Sequence, residues 1–246
     1  MYWFGMGNGS ALGDSRIAFF FDWTYILILI GLAICLLASA RVNSAFKKYN
    51  QMRTMTGVTG RQAAEKILSQ AGLSYVRIER VSGKLSDHYD PKDKVLRLSS
   101  EVYDTPSVAA VGVAAHECGH AIQDAVGYAP LNLRSAAVPV ARFGSYLYWP
   151  IIIIGWITGI MGLADIGVFL FAFIVLFQLI TLPVEFNASN RALQILGSDQ
   201  SLFATREEYN GARTVLRAAA LTYVASLVSS ILQLLRLIVL TRGRRK

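Results

Sequence analysis

The sequence predicts a mostly helical membrane protein that carries one small α+β domain, and three observations lead there. Hydrophobic residues make up 54% of the 246 residues and charged residues only 16%, against roughly 25% charged in a soluble domain. The deficit is uneven, because long stretches carry no charge at all, as lipid-facing segments do. Between them, residues 41 to about 142 are polar enough to fold in water and contain alternating segments that read as short strands.

Taken in order, the first twenty residues are Gly-rich and aromatic, and Arg16 is their only basic residue. The run from Trp23 to Ala40 has no charge and about the length that crosses a hydrocarbon core. No basic segment precedes it and Arg41 follows it directly, so it reads as a retained anchor and not as a cleaved signal. Arg41, Lys47, Lys48 and Arg53 follow, which by the positive-inside rule places residue 41 onward in the cytosol.

Within the polar part, Thr59–Ala71 has the helical spacing of Ala64, Ile67 and Leu68, with Gly72 as its stop. SYVRIERVSG alternates and reads as a strand. LSDHYDP and KVLRLSS read as two more strands, joined by a turn through Pro91, Lys92 and Asp93, and short antiparallel pairing is expected of them. A helix should start near Thr105-Pro106-Ser107, with Thr105 as cap and Pro106 in the first turn, and run to about Asp124.

Two further apolar runs, Leu147 to Leu163 and Ile166 to Val184, predict a transmembrane helical hairpin with its tip at Ala164-Asp165. Arg134 and Arg142 before it and Arg191 and Arg206 after it put both ends in the cytosol. The last run, Ala218 to Leu235, is rich in Ala and Ser, which suits close helix packing. It reads either as a fourth span or as a helix lying at the membrane face, because a span would leave the basic tail Arg242 to Lys246 outside.

The chemistry concentrates in His116-Glu117-Cys118-Gly119-His120. Histidines four apart share one face of a helix and can bind one metal ion, and neutral imidazoles suit zinc. Glu117 beside them is placed to act as general base. An accidental match somewhere in a chain this long has odds on the order of one in a hundred, and two of only three histidines fall in the motif. Gly119 permits close approach of another backbone or of a substrate. A catalytic zinc needs a third protein ligand, which is either His88 or a downstream carboxylate. Glu185, after Pro183-Val184 at the end of an apolar run, is the stronger candidate; Asp124 and Glu101 lie too close to the motif.

HECGHAIQ, preceded by LSDHYDPKDKVLRLS and followed by LPVEFNASNRALQIL, resembles the YugP-like bacterial membrane zinc metallopeptidases over nearly the whole chain. A more distant likeness, of the HExxH gluzincin type, extends to the HtpX-like peptidases. The resemblance implies a zincin-like catalytic domain, with His116, His120 and Glu185 binding one zinc ion per chain and Glu117 as base. HtpX-like members carry an aspartate four positions after the glutamate. This chain has Ser189 there, so Ser189 or Asn187 is left to orient a ligand histidine. Asp87-His88-Tyr89-Asp90 takes the place of the edge strand that holds substrate backbone, and His88 or Tyr89 could also face an oxyanion. An ordinary capped turn would leave the same residues. Tyr209 and Arg191 are weaker candidates for substrate contact.

The expected organisation is therefore an N-terminal segment and anchor (1-40), a cytosolic catalytic part (41-145), a transmembrane hairpin (146-184), a helix bearing the third ligand (185-217), and an apolar helix with a basic tail (218-246). The expected function is cleavage of membrane or membrane-proximal proteins, with a protein or peptide substrate and the lipid bilayer as partners. Nucleic acid is not expected, since no basic stripe is interleaved with exposed aromatics. Two other classes compete: a catalytically silent zinc-binding partner or scaffold, and a transport component. Retention of Glu117 speaks against the first, and the lack of charge inside the spans against the second. Cys35 and Cys118 sit in unlike settings, so no disulfide is expected.

Overall fold

The computed structural model describes residues 22–83 and 86–243; the Gly-rich N-terminal segment and the end of the basic tail lie outside these. Among the described residues, seven helices and one small sheet follow in order: α1 (Tyr25–Asn50), α2 (Gly60–Gln70), β1 (Arg77–Val81), β2 (His88–Asp90), β3 (Val95–Ser99), α3 (Ser100–Tyr103), α4 (Val108–Ala125), α5 (Ala129–Thr158), α6 (Met161–Ser198) and α7 (Arg206–Gly243). The protein is mostly helical, and four of these helices, α1, α5, α6 and α7, are long and apolar enough to cross a membrane.

The polar domain starts with α2, which begins at a capping box: Thr59 accepts from the Gln62 amide and Gln62 reaches back to the Thr59 amide. Its inner face (Ala63, Ala64, Ile67, Leu68) joins Leu96, Leu98, Val111, Ala114 and Ala115 in one core. The sheet has the order β1-β3-β2. β2 and β3 are antiparallel as expected, but β1 runs parallel to β3. The physical reason lies in the strand order, which sets β1 and β2 on opposite sides of β3, so that β2 reaches the sheet at its far edge. Asp87 fixes the start of β2 there by accepting from the amide (2.7 Å) and hydroxyl (3.1 Å) of Ser99. β2 is thereby an edge strand. The motif helix α4 starts two residues later than expected, with Ser107 and not Thr105 as its cap, because the Ser107 hydroxyl accepts from the Ala110 amide.

α5 and α6 form the expected hairpin, but its tip is Gly159-Ile160 instead of Ala164-Asp165. Gly159 takes a left-handed conformation (φ 74°) that ends α5, and Asp165 lies inside α6. The tight return brings Gly155 against the Ala164 backbone, where a β-carbon would meet the Ala164 nitrogen at 2.6 Å. Large apolar side chains such as Leu37 on α1 (72% exposed) and Ile157 on α5 (80% exposed) face outward, as lipid contact requires. α7 lies antiparallel to α1 along its length: Gly211 meets Tyr49, Ser229 meets Gly31, and the Arg236 guanidinium stacks over the Tyr25 ring at 4.2 Å. A helix that follows α1 from end to end crosses whatever α1 crosses.

Candidate metal centre

The site forms where α4, α6 and β2 meet. On α4, His116 and His120 lie one turn apart, with ring centroids 4.8 Å apart and planes at 86°. Opposite them α6 presents Glu185 and, one turn on, Ser189. The two helices can approach because of Gly119, whose absent β-carbon would sit 2.6 Å from the Ala188 carbonyl oxygen.

Ligand atoms of His116, His120 and Glu185 all lie within 4.8 Å of one another. Glu185 Oε2 is 3.4 Å from His116 Nε2 and 3.6 Å from His120 Nε2. The surrounding hydrogen bonds decide which ring nitrogens carry protons. The Val184 carbonyl can only accept, so the Gln123 amide nitrogen, 2.8 Å away, must face it. Gln123 Oε1 then faces His120 Nδ1 at 3.0 Å and requires that nitrogen to donate. The neutral ring therefore turns a bare lone pair on Nε2 toward Glu185. Ser189 Oγ lies 3.1 Å from His116 Nδ1 and can hold that ring in the same tautomer. Three electron-pair donors then converge with no proton between them, and Glu185 Oε2 is buried without a hydrogen-bond partner. Such a carboxylate is costly unless a cation lies against it. Two imidazoles, one carboxylate and an open side form the donor set of a zinc site of the catalytic type. The other carboxylate oxygen, Oε1, is held by Arg134 at 3.2 Å.

Glu117 sits beside the cluster, in a cleft of about 140 Å³ that Asp87, His116, Glu185 and Tyr223 also line. Its Oε2 accepts from the Tyr89 amide at 3.1 Å. Amides on an antiparallel strand alternate between its two sides, so this contact shows the outer edge of β2 turned toward the cleft. Burial raises the Asp87 carboxyl above its ordinary pKa, against the lowering effect of its Ser99 bonds, and the nearby Glu117 adds to the rise. Cys118, one residue on, faces the core, and burial pushes its thiol well above the usual range.

The expected residues fall into two groups. His116, Glu117, His120, Glu185 and Ser189 come together. His88 does not join them: it is exposed, and its Nδ1 lies 2.8 Å from the Ser86 carbonyl oxygen. The Tyr89 side chain also points elsewhere, donating to Asp124 at 2.7 Å; burial and that carboxylate hold its phenol in the protonated form. Asn187 touches neither histidine, but accepts from Gln123 (3.0 Å) and Arg191 (2.8 Å). Tyr209 packs against Gly197, outside the cleft. Three residues of the site were not anticipated, Gln123, Arg134 and Tyr223, and Asp87 was expected only as part of the edge segment. Gln123 alone had a signal, three residues after His120 on the same helix.

Comparison with known proteins agrees with this chemistry. The family model described as "Putative neutral zinc metallopeptidase" matches residues 24–242. The chain is also 44% identical over 214 residues to "Putative membrane protease YugP" of Bacillus subtilis (strain 168), covering 87% of this chain and 94% of that protein. No solved structure matches the chain.

Proposed function

The chain belongs to the family described as "Putative neutral zinc metallopeptidase", and from that membership and the geometry of the cleft we propose that it is a membrane-embedded zinc metalloendopeptidase. Its catalytic domain is zincin-like, built around α4. It holds one zinc ion per chain and acts from the cytosolic side on membrane or membrane-proximal proteins. The observation that carries the reading is the convergence of His116, His120 and Glu185 with Glu117 beside them.

His116 Nε2, His120 Nε2 and Glu185 Oε2 would hold the ion. Zinc in such a site supplies a Lewis acid that polarises a peptide carbonyl and acidifies water. The remaining work falls to the chain's own groups. Ser189 and Gln123 orient the two rings, and Arg134 fixes the Glu185 carboxylate, leaving Oε2 free. Glu117 accepts the proton of the attacking water and returns it to the leaving amine. The Tyr89 amide holds Glu117 in place while the rest of the β2 edge pairs with an extended substrate backbone.

Cleavage of a quenched peptide library by the detergent-purified protein, run beside Glu117→Gln, tests this. The wild type should cleave, and the variant should bind zinc at the same stoichiometry while losing at least about a hundredfold in rate. Equal traces from both would leave a zinc protein without catalysis.

A further inference from the structure

A larger cavity, about 600 Å³, lies between α6 and α7 behind the metal centre. Arg41, Arg213 and Arg217 line it over an apolar floor that includes Phe186, Leu193 and Leu221, and no carboxylate is among its lining residues. Among the described residues none of the three guanidiniums makes an ion pair, and all three residues are exposed. Single arginines at such a height ordinarily serve only orientation. These three instead converge on one concavity from two helices.

Their height follows from the sequence and the packing. Arg41 ends the apolar run of α1, while Arg213 and Arg217 precede that of α7. The contacts of Gly31 with Ser229 and of Tyr49 with Gly211 set the antiparallel register, and that register brings Arg41 level with Ala219. By that register Arg217 lies about 3 Å and Arg213 about 9 Å to the polar side of Arg41 along the axis, so the three cations fall in one band where the polar and lipid-facing parts of the bundle meet. An anionic head placed there meets guanidinium forks, and its apolar part meets the floor of Phe186 and Leu221.

We infer that this cavity binds the phosphate headgroup of an anionic phospholipid from the surrounding bilayer. An acidic substrate segment fits less well, because Ser189, Leu216 and Ala220, all buried, stand between this cavity and the catalytic cleft and line both. A peptide held at the metal would have to pass through that wall. A lipid reaches the cavity from the side.

The test is native mass spectrometry of the full-length protein titrated with phosphatidylglycerol or phosphatidylcholine, a readout that does not depend on peptidase activity. The wild type should retain phosphatidylglycerol preferentially. Arg213→Gln/Arg217→Gln should reduce that preference roughly tenfold or more. Lys47→Gln/Lys48→Gln, which removes the same charge elsewhere on α1, should leave it intact. Arg213→Lys/Arg217→Lys, which keeps the charge, should retain part of it and identifies loss through misfolding. Equal losses in the Arg→Gln and Lys→Gln pairs, or no preference in the wild type, would overturn the inference. So would displacement by millimolar inorganic phosphate, which would assign the cavity to a free anion, or displacement by an acidic peptide, which would assign it to substrate.

Discussion

At the scale of single residues, the centre depends on a chain of fixed polarities that starts at one backbone carbonyl. Val184 O sets the Gln123 amide, and Gln123 sets the His120 tautomer. Replacing Gln123 by leucine keeps the volume and removes the acceptor, so zinc affinity should fall about 10- to 100-fold. Gln123→Glu restores an acceptor for Nδ1 and should recover part of that loss. Competition with a chromogenic chelator measures both, and unchanged affinity in Gln123→Leu would show that the His120 ring is held by packing alone. The two histidines and Glu117 were legible in the sequence because a helix turns an i, i+4 spacing into one face with no help from the rest of the fold. Glu185 was legible as a lone carboxylate opening a polar stretch, and Ser189 as the occupant of a position where an orienting group is needed. Arg134 was not, since only the docking of α5 brings it in.

At the scale of elements, the site is a contact between α4 and α6, and its tolerance is that of one missing β-carbon. Gly119→Ala would place a methyl group 2.6 Å from the Ala188 carbonyl oxygen, a backbone atom that cannot swing aside. The helices must separate, at a cost of roughly 1–3 kcal/mol. Glu185, one turn before Ala188, would retreat from the histidines. A lowered thermal midpoint together with weakened zinc binding is expected; a variant that loses neither would mean that the close approach is unnecessary. The other end of α6 is tied by Asp199, which accepts from Ser201, Gln70 and Lys66, and these bonds hold its carboxyl well below the usual range. A depressed folded pKa gives stability that is present above the unfolded value of about 3.9 and lost as pH falls toward the folded one. Asp199→Asn should therefore lower the midpoint at pH 7, and the gap to wild type should narrow steadily below about pH 4; a constant gap would assign the effect to packing. Of the elements, α2 and the two later strands were readable from local pattern. The parallel pairing of β1 was not, because six residues between two strands carry no signature that tells neighbouring strands from strands at opposite edges of the sheet. The hairpin tip was misplaced for a related reason: Asp165 drew attention as a charge, whereas Gly159 sets the turn through its backbone.

At the scale of the whole molecule, α1 and α7 run antiparallel as one pair, which decides how often the chain crosses the bilayer. Arg236, which in sequence interrupts the last apolar run, is buried in this pairing, over the Tyr25 ring and 3.7 Å from Asp22. A buried guanidinium with a carboxylate and an aromatic face beside it is tolerable where a lone one is not. The same contact places the C-terminal end of α7 on the side where α1 begins. Arg242, in the last turn of α7, then lies at the end opposite the larger basic group formed by Arg41, Lys47, Lys48, Arg53, Arg134, Arg142, Arg191 and Arg206. Orientation follows the excess of positive charge, so the larger group and the metal centre should be cytosolic and the tail external. In a Cys35→Ala background, with Cys118 buried, Lys246→Cys should react with a membrane-impermeant thiol reagent on intact cells. Lys92→Cys, on the exposed β2–β3 turn, should react only after permeabilisation. The reverse pattern would put the catalytic part outside. Labelling of both positions only after permeabilisation would show that α7 does not cross, and because α7 follows α1 along its length, α1 would have to lose its place in the bilayer as well.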